Sequence, residues 1–236
     1  MTANIDESKR NQDFSTEIRQ RLYSIFPSAI LLLGVRMAND ARPHDAHQFN
    51  QGFPVPRLEA PQLEYENPFW RIERVSADFG DHRRDYYVSR DGARAGVVVI
   101  VGQDVLLVRQ YRLLIHDYSF EIPGGAVDPG ETPEEAAIRE CYEETGVRPC
   151  KLSPLIRYQM ALDTRDNPTH LFLANLFEQD AAQRATTNTN KETLRSCWIP
   201  FATSLQMIFR GMIQDSFSVI ALLAYNTYRL NPDLRS

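Results

Sequence analysis

Residues 125–147 read GAVDPGETPEEAAIRECYEETGV, and this stretch decides which fold the chain is expected to adopt. It places Glu140, Glu143 and Glu144 after a loop that is rich in glycine. On a helix, Glu140 and Glu144 lie one turn apart on the same face, and Glu143 lies beside them. Carboxylates this close repel one another unless a cation lies between them, and Mg²⁺ and Mn²⁺ prefer such oxygen ligands. The spacing therefore predicts a divalent metal site, although an acidic helix face without these flanking residues is usually solvated surface.

The sequence also predicts where this helix begins and ends. Thr132 is suited to the N-cap, with Pro133 at the first helical position and Glu135 three residues after the cap. Gly146 is suited to end the helix in the left-handed conformation. We therefore expect a helix that begins near Pro133 and stops at Gly146.

The stretch matches the signature box of the Nudix hydrolases position by position. The box consists of Gly, five residues, Glu, seven residues, Arg-Glu, an apolar residue, any residue, Glu-Glu, any residue, Gly and an apolar residue. Cys141 at the first apolar position is the single loose match, and a buried cysteine behaves as a small hydrophobe. The chain therefore resembles Nudix hydrolases. This resemblance implies an α+β fold in which a mixed β-sheet is sandwiched between helices, here with an N-terminal extension.

The resemblance also implies which groups bind the metal. The carbonyl of Gly124 and the carboxylates of Glu140 and Glu144 are the implied ligands of Mg²⁺ or Mn²⁺, with two or more ions per site. Glu143 is implied as a further ligand, or as the carboxylate that Arg139 holds from four residues before it. Arg139 and the three glutamates are therefore the catalytic candidates of the box.

Sequence outside the box resembles the branch of the family that cleaves ADP-ribose and nucleotide sugars. The resembling segments are VRQYR at 108–112, FEIPGG at 120–125 and GMIQDSFSVIAL at 211–222. The similarity extends over about residues 69–230. By this resemblance Arg112 binds a substrate phosphate, since a guanidinium fork matches phosphate oxygens. Arg109 and Gly125 are further candidates for substrate binding, and the alternative for Arg112 is an ordinary surface arginine on a strand.

The loop after the box departs from this branch, which usually carries a Ser-Pro-Gly motif followed by a glutamate. The corresponding residues 159–170 read QMALDTRDNPTH and contain no such motif. Asp163 or Asp166 is therefore a candidate for the base or for a metal ligand, and Glu192 in a second acidic loop is another. The alternative for each is a plain loop charge. The departure bears on ADP-ribose as the substrate more than on the diphosphate chemistry.

Together, the residues and the resemblance predict an enzyme that hydrolyses the diphosphate bond of a nucleoside diphosphate linked to another moiety, with Mg²⁺. ADP-ribose or a related nucleotide sugar is the expected substrate. A nucleoside monophosphate and a sugar phosphate are the expected products. Two alternatives stay open: a catalytically inactive sensor of nucleotide sugars, and a hydrolase of GDP-mannose or of dinucleoside polyphosphates.

The composition bounds the class of protein. Of the 236 residues, 43% are hydrophobic and 24% are charged, as in ordinary globular proteins. A formal net charge of −5 gives no broad basic surface for nucleic acid. The apolar run at residues 29–33 is too short to cross a bilayer, and the polar first 13 residues do not resemble a signal peptide. With three cysteines in no metal-binding spacing, we expect a cytoplasmic protein that binds neither membrane nor nucleic acid.

We expect two regions along the chain. Residues 1–62 form a helical and irregular N-terminal extension, with an amphipathic helix pattern at 14–26 and a proline-rich, irregular arm that covers residues 41–68. By the resemblance, residues 63–236 form the Nudix hydrolase domain. Within it, residues 63–95 are implied to form a strand subdomain used in dimerisation, so a homodimer is expected.

From residue 69 onward the pattern of apolar residues predicts mainly strands, followed by two helices. Strands are predicted at 69–75, 86–88, 97–101, 105–111, 120–122, 156–161, 170–177 and 194–199, and helices at 202–210 and 215–230. The run VVVIV at 97–101 is expected to be buried on both faces of the sheet. The sequence RDGA at 90–93 predicts a hairpin between the strands on either side of it.

Overall fold

A computed structural model describes residues 55–176 and 193–235 of the chain. These residues form eleven strands, three α-helices and two short 3-10 helices. The strands are β1 (Arg57–Leu58), β2 (Gln62–Glu66), β3 (Arg71–Asp78), β4 (Arg83–Arg90), β5 (Arg94–Val101), β6 (Asp104–Arg112), β7 (Asp117–Glu121), β8 (Gly124–Ala126), β9 (Ser153–Ala161), β10 (Arg165–Leu176) and β11 (Thr193–Pro200). The helices are α1 (Pro133–Thr145), α2 (Phe201–Phe209) and α3 (Ser216–Leu230), and the 3-10 helices are Leu113–Ile115 and Pro232–Arg235.

Each predicted strand, and each of the three helices predicted within the described residues, overlaps an observed element of the same type. The prediction of an irregular arm up to residue 68 is wrong for β1 and β2, which lie between the prolines of that arm and pair with β3. The predicted helix at 14–26 and most of the extension 1–62 lie outside the described residues. Within the described ranges, no helix has the length and apolar character needed to cross a membrane.

The strands form one mixed sheet in the order β1-β3-β4-β10-β5-β6-β11. Four further strands join it at the sides, with β2 on β3, β9 on β10, β8 on β5 and β7 on β6. β10 runs parallel to both β4 and β5, whereas the other strand pairs are antiparallel. The mixed sheet agrees with the predicted α+β class.

The hairpin predicted at residues 90–93 is wrong. β10 lies between β4 and β5, so these two strands do not pair with each other. The Ser89 N–H donates to the carbonyl of Thr164 just before β10, at 2.8 Å. The Asn167 amide donates to the carbonyl of Gly92, also at 2.8 Å, across a sequence separation of 75 residues. The connection is therefore bound by a strand that is distant in sequence, which no local turn signal can identify.

Helices cover both faces of the sheet. On one face, the strands pack on α2 and α3 through a cluster that includes Val98, Ile100, Leu171, Leu173, Met207, Phe217, Ala221 and Leu222. On the other face, they pack on α1 through Ala95, Val97, Val99, Phe172, Ala136, Ala137 and Cys141. Alternate residues of β5 thus point to opposite faces. The run at 97–101 is buried on both sides, and the predicted sandwich of a sheet between helices is confirmed.

Gly96 lets α3 approach the start of β5. A Cβ atom at Gly96 would collide with the ring of Phe217, the second residue of α3. Phe217 is only 3% exposed, so its ring has little room to move. The same ring also lies against Gly124 in the glycine loop. The lack of a side chain at Gly96 therefore fixes the N-terminal end of α3 beside that loop.

Gly96→Ala should lower the free energy of unfolding by about 1–3 kcal/mol, because an added methyl group in a packed contact forces its neighbours to shift. Urea denaturation measures the change. Phe217→Leu is the matched variant, and the double variant should lose less than the sum of the two single losses because the smaller side chain leaves room. A Gly96→Ala protein as stable as the unsubstituted one, or strictly additive losses, would contradict this packing.

Candidate active site

Helix α1 begins and ends where its sequence predicts. The Thr132 N–H donates to the Glu135 carboxylate at 2.8 Å, and the Glu135 N–H donates to the Thr132 hydroxyl oxygen at 3.2 Å. The predicted capping box is therefore formed. Gly146 ends the helix in the left-handed conformation, with a φ of 74°. Burial raises the pKa of the Cys141 thiol to about 12, so this residue packs as an apolar side chain in the box.

The carboxylate of Glu144 is buried between α1 and the sheet, and the residue is only 5% exposed. It accepts hydrogen bonds from the Gln110 side-chain amide at 2.6 Å and from the Gly124 backbone N–H at 3.0 Å. Burial raises the pKa of Glu144 to about 7, and the negative charges of Glu140 and Glu121 add to the rise, while the two hydrogen bonds oppose it. Ionisation of Glu144 therefore costs free energy in the folded protein, and a nearby cation would reduce that cost.

Arg139 binds two carboxylates next to this position. Its Nε and Nη2 atoms donate to the two oxygens of Glu131 at 2.9 and 2.8 Å. Its Nη1 atom donates to Glu140 at 2.8 Å. Glu143 lies farther away, at 3.5 Å from Nη1, and its side chain is 49% exposed. Hydrogen bonding to Glu131, above all, raises the pKa of Arg139. Arg139 therefore orients Glu131 and Glu140 more closely than Glu143.

The glycine loop leaves the space in which Glu140 lies. A Cβ atom at Gly125 would overlap the carboxylate of Glu140, so a residue with a side chain cannot replace this glycine without displacing that group. The preceding residue, Gly124, binds Glu144 through its N–H. Two consecutive glycines thus contact Glu140 and Glu144, and the loop and α1 bring these two carboxylates to one place.

A cleft of about 300 Å³ opens beside Gly124. Its charged lining residues are Arg94, Arg112, Glu121 and Asp215. Arg112 donates through Nε to Glu121 at 2.7 Å, and a second bond joins its Nη2 atom to the other carboxylate oxygen. This bidentate contact raises the pKa of Arg112, which therefore stays cationic. The cleft thus places guanidinium groups next to the loop that contacts Glu144.

The donor atoms at this place fit a divalent cation. Within residues 55–176 and 193–235, no three His, Cys, Asp or Glu side chains are grouped as a complete metal site. Mg²⁺ does not require one, because it is usually bound by one or two carboxylates together with water and phosphate oxygens. Glu140 and Glu144 supply two carboxylates, and the charge of Glu140 disfavours the ionised form of Glu144. A dication would relieve that repulsion and would find the oxygen ligands it prefers.

The segment that carries the cleft and the box matches a known family. The matching family model is described as the NUDIX domain, and it covers residues 90–214, more than half of the chain. The chain belongs to the Nudix family. The matched span includes α1, the glycine loop and both cleft arginines, Arg94 and Arg112.

Three named relatives are similar to this Nudix protein over different lengths. The CMP-5'-(N-acetyl-N-hydroxy-3-aminopropyl)phosphonate hydrolase of Streptomyces rubellomurinus is 32% identical over 153 residues, 65% of this chain and 72% of that protein. The GDP-mannose pyrophosphatase of Klebsiella pneumoniae is 30% identical over 164 residues, 66% of this chain and 81% of that protein. The ADP-ribose pyrophosphatase of Bacillus subtilis is 32% identical over 103 residues, 44% of this chain and 56% of that protein. These names support the predicted enzyme class, a Nudix-type pyrophosphohydrolase.

A solved structure shares the fold of this Nudix protein. It is described as the crystal structure of an ADP compounds hydrolase. The two folds agree with a TM-score of 0.64 over 75% of this chain and 96% of that chain, at 22% sequence identity. The mixed sheet between helices is therefore the Nudix fold, as predicted.

Some predicted site residues of this Nudix protein lie apart from the cleft. Asp163 is exposed in the turn between β9 and β10, and Asp166 on β10 forms an ion pair with Arg90 at 2.7 Å. Arg109 is exposed and stacks on aromatic rings, and it does not line the cleft. Glu192 lies outside the described residues. The structure thus brings Glu140 and Glu144 into contact with the glycine loop, and Gly124 of that loop lines the cleft together with Arg112. The box glutamates, Arg109 and the two loop aspartates are not among the residues that line the cleft.

Sequence reasoning assigned no role to several residues that line or support the site. They are Arg94, Gln110, Glu121 and Asp215. Burial alternates over residues 108–111 of β6 and 119–121 of β7, where Gln110 and Glu121 are buried, so strand alternation was a signal for their inward position. Arg94 gave a weaker signal, a charge at the start of an otherwise apolar strand. Asp215 was predicted as the first residue of the helix at 215–230, whereas it lies one residue before α3 and caps it by accepting from N–H groups of the first turn.

Glu144→Gln should stabilise the metal-free protein at high pH, because it removes a buried negative charge. The pKa of about 7 in the folded protein lies above the ordinary 4.5, so ionisation of Glu144 destabilises the fold progressively above pH 4.5 and fully above pH 7. From these values the gain in unfolding free energy should be roughly 2 kcal/mol larger at pH 8.5 than at pH 5.5. The amide has one acceptor oxygen and leaves either the Gln110 or the Gly124 donor unpaired, so the gain at each pH is smaller than the charge effect alone. Urea denaturation in EDTA at both pH values measures the gain.

The matched control for this measurement is Glu134→Gln, an exposed position in the first turn of the same helix. It should leave the unfolding free energy unchanged at both pH values. A Glu144→Gln protein that is less stable than the unsubstituted one at pH 8.5, or equally changed at both pH values, would show that Glu144 carries no burial cost.

Proposed function

We propose that this protein hydrolyses the diphosphate bond of a nucleoside diphosphate linked to another moiety, and that it requires Mg²⁺. ADP-ribose and related nucleotide sugars are the proposed substrates, with a nucleoside monophosphate and a sugar phosphate as products. The observation that supports the proposal is the buried Glu144 carboxylate beside Glu140, which accepts from the N–H of Gly124, a residue that lines the same cleft as Arg112. Carboxylates suited to a dication and a guanidinium suited to phosphate lie together, as diphosphate cleavage requires.

The residues of the box would hold the metal and keep its ligands in place. Glu140, Glu144 and the carbonyl of Gly124 are the proposed ligands. A bound divalent ion neutralises charge on the diphosphate oxygens and lowers the pKa of a water molecule. Gln110 and the Gly124 N–H orient Glu144, and Arg139 orients Glu140. The fold thus fixes both carboxylates before any substrate arrives, which reduces the reorganisation needed during the reaction.

Arg112 is proposed to bind the substrate at a phosphoryl oxygen. Its contact with Glu121 keeps the guanidinium charged and holds its plane against the cleft wall. Water then attacks one phosphorus in line with the bridging oxygen. The bond between that phosphorus and the bridging oxygen breaks, and a monophosphate leaves. A guanidinium fixed at this place stabilises the charge that develops on the phosphoryl oxygens.

A carboxylate must take up the proton of the attacking water. Glu143 is the proposed group, because it lies on α1 beside the other two glutamates and is half exposed to solvent. Asp163, Asp166 and Glu192 are the alternatives on the loops. Replacement of each by its amide, followed by a pH profile of kcat, separates these candidates, since loss of the base removes the limb of the profile that reports its ionisation.

The relatives favour a second substrate within the same class. The Klebsiella pneumoniae protein, which this chain matches over 81% of that protein's length, is named a GDP-mannose pyrophosphatase. GDP-mannose carries the same nucleoside diphosphate linkage to a sugar, so the same box would cleave it. A catalytically inactive nucleotide-sugar sensor is the other alternative, and the presence of every box carboxylate argues against it.

We also propose a cytoplasmic homodimer formed through residues 63–95. This range contains most of an antiparallel arrangement of β2, β3 and β4. Large apolar side chains are exposed on it, namely Leu63, Tyr65, Phe69, Trp70 and Tyr87. Exposed aromatic and aliphatic side chains in one region are typical of an interface. Sedimentation equilibrium of the full chain tests the proposal, and a monomer at all concentrations would refute it.

The enzymatic proposal is tested by incubating the protein with Mg²⁺ and ADP-ribose, ADP-glucose, GDP-mannose or a dinucleoside polyphosphate. We expect release of a nucleoside monophosphate from a nucleotide sugar, measured by ion-exchange chromatography. Glu144→Gln and Glu140→Gln should each lower kcat/KM on the order of 100-fold or more, because several kcal/mol of charge stabilisation are lost. Glu134→Gln should retain full activity. No turnover of any compound, or full activity without Glu144, would refute the proposal.

A further inference from the structure

Two buried polar atoms among the described residues have no hydrogen-bond partner in the protein, Arg94 Nε and Tyr158 Oη. They lie in one row across the sheet. Thr169 on β10 is in register with Arg94 on β5 and with Tyr158 on β9. Paired residues of neighbouring strands point to the same face of a sheet. We call these three residues the polar row, and it faces α3 because the Arg94 guanidinium lies 5.2 Å from the centre of the Phe217 ring.

The polar row interrupts an apolar layer. The face that α3 covers is otherwise built from aliphatic and aromatic side chains such as Val98, Leu171 and Ala221. Burial, above all, raises the pKa of Tyr158. Thr169 itself is fully buried and donates to the carbonyl of Asn167 at 3.2 Å. The Arg94 end of the row is the one that reaches the cleft beside the box.

Arg94 and Arg112 line the same cleft but differ in how their charge is balanced. Arg112 forms a bidentate ion pair with Glu121. No carboxylate in residues 55–176 or 193–235 lies within ion-pair distance of Arg94. Asp215 also lines the cleft, but its two oxygens accept from the N–H groups of Phe217 at 3.2 Å and Ser218 at 2.8 Å. Among the described residues, Arg94 is therefore the cleft arginine that forms no direct ion pair with a carboxylate.

A guanidinium in this state is suited to an anionic ligand. Arginine remains charged at all physiological pH values, and its planar fork matches phosphoryl oxygens. Stacking on Phe217 restricts the orientation of the plane, so less freedom is lost when an oxygen is bound.

We propose that Arg94 determines substrate specificity by binding the second phosphoryl group of the diphosphate, the one that Arg112 does not contact. This inference rests on the proposed diphosphate hydrolysis. A diphosphate that links two moieties carries one negative charge on each phosphoryl group. The cleft offers two guanidinium groups next to Gly124, one already oriented by Glu121 and one oriented by Phe217. Each phosphoryl group of the ligand would thus meet one guanidinium of a wall that also carries the carboxylates of Glu121 and Asp215.

The test compares ADP with AMP as probes, using the full chain in the presence of Mg²⁺ and isothermal titration calorimetry. Arg94→Met keeps a long side chain for packing on Phe217 but removes the charge and the donors. It should weaken ADP binding by roughly 10- to 100-fold, the loss typical of a hydrogen bond to a charged group. AMP, which lacks the second phosphoryl group, should lose less than about threefold. Equal losses for ADP and AMP, or no loss for ADP, would overturn the proposal.

Arg229→Met is the matched control. Arg229 stacks on the ring of Phe201 at 4.9 Å, near the other end of α3, and does not line the cleft. The control removes the same charge and the same kind of ring contact, so unchanged binding of both probes is expected. Weakening of ADP by this variant to the same extent would show that net charge, and not the position of Arg94, is responsible.

Arg94→Lys keeps the inference testable if the methionine variant does not fold. It retains the charge but loses the planar fork, and it should weaken ADP binding by about 3- to 10-fold. Full ADP affinity in this variant would overturn the proposal. The outcome is separate from that of the parent function. Turnover of a nucleotide sugar with no effect of Arg94 on ADP binding refutes the inference alone, whereas no turnover of any compound refutes the proposed activity.

Discussion

The buried carboxylate of Glu144 is the constraint on which the arrangement of the site depends. Its two oxygens are bound by donors from two different strands, Gln110 on β6 and Gly124 on β8. A small rotation of α1 would leave a charged group buried without partners, which costs several kcal/mol. The register of α1, the path of the glycine loop and the inward direction of Gln110 are therefore set together. Because Glu140 lies on α1 one turn before Glu144, the same alignment of α1 also determines the position of Glu140.

Around this carboxylate, three charged side chains are each oriented by a different kind of neighbouring group. Glu140 is held by a guanidinium, Arg112 by a carboxylate and Arg94 by an aromatic ring. A group that is already oriented by its neighbours loses little freedom when it meets a ligand, and this preorganisation is the main source of electrostatic stabilisation in enzymes. The polar contacts of the site thus orient its charged side chains, while the apolar layers on both faces of the sheet stabilise the fold.

Local signals were sufficient for most of the secondary structure and for the box. Thr132, Glu135 and Gly146 determine the ends of α1 through contacts within the helix itself, so the sequence alone predicts them. Because every residue at 97–101 is apolar, the sequence of this run indicates that it is buried on both faces of the sheet. The secondary structure between the prolines was harder to predict. β1 and β2 form only by pairing with β3, and the amino-acid composition of this segment does not reveal that pairing.

Features that depend on distant residues could not be predicted. Gly92 adopts the left-handed conformation, with a φ of 75°, but the strands on either side of it pair with β10 and not with each other. The role of Arg94 could not be predicted for the same reason. Its lack of a carboxylate partner and its contact with Phe217 arise only from the tertiary fold. The loop aspartates illustrate the opposite case, in which a suitable residue type lies near the box in sequence but away from the cleft in space.

The late position of β10 in the chain also affects how the sheet can be built during translation. β4 and β5 leave the ribosome well before residues 165–176, yet β10 joins β5 over eight register pairs from Thr169 to Leu176. Until then, the valine-rich β5 has an unpaired edge, which is a template for contacts with other nascent chains. Closing so long a loop also slows folding. The rate of translation of residues 102–176 therefore determines how long the edge of β5 remains unpaired.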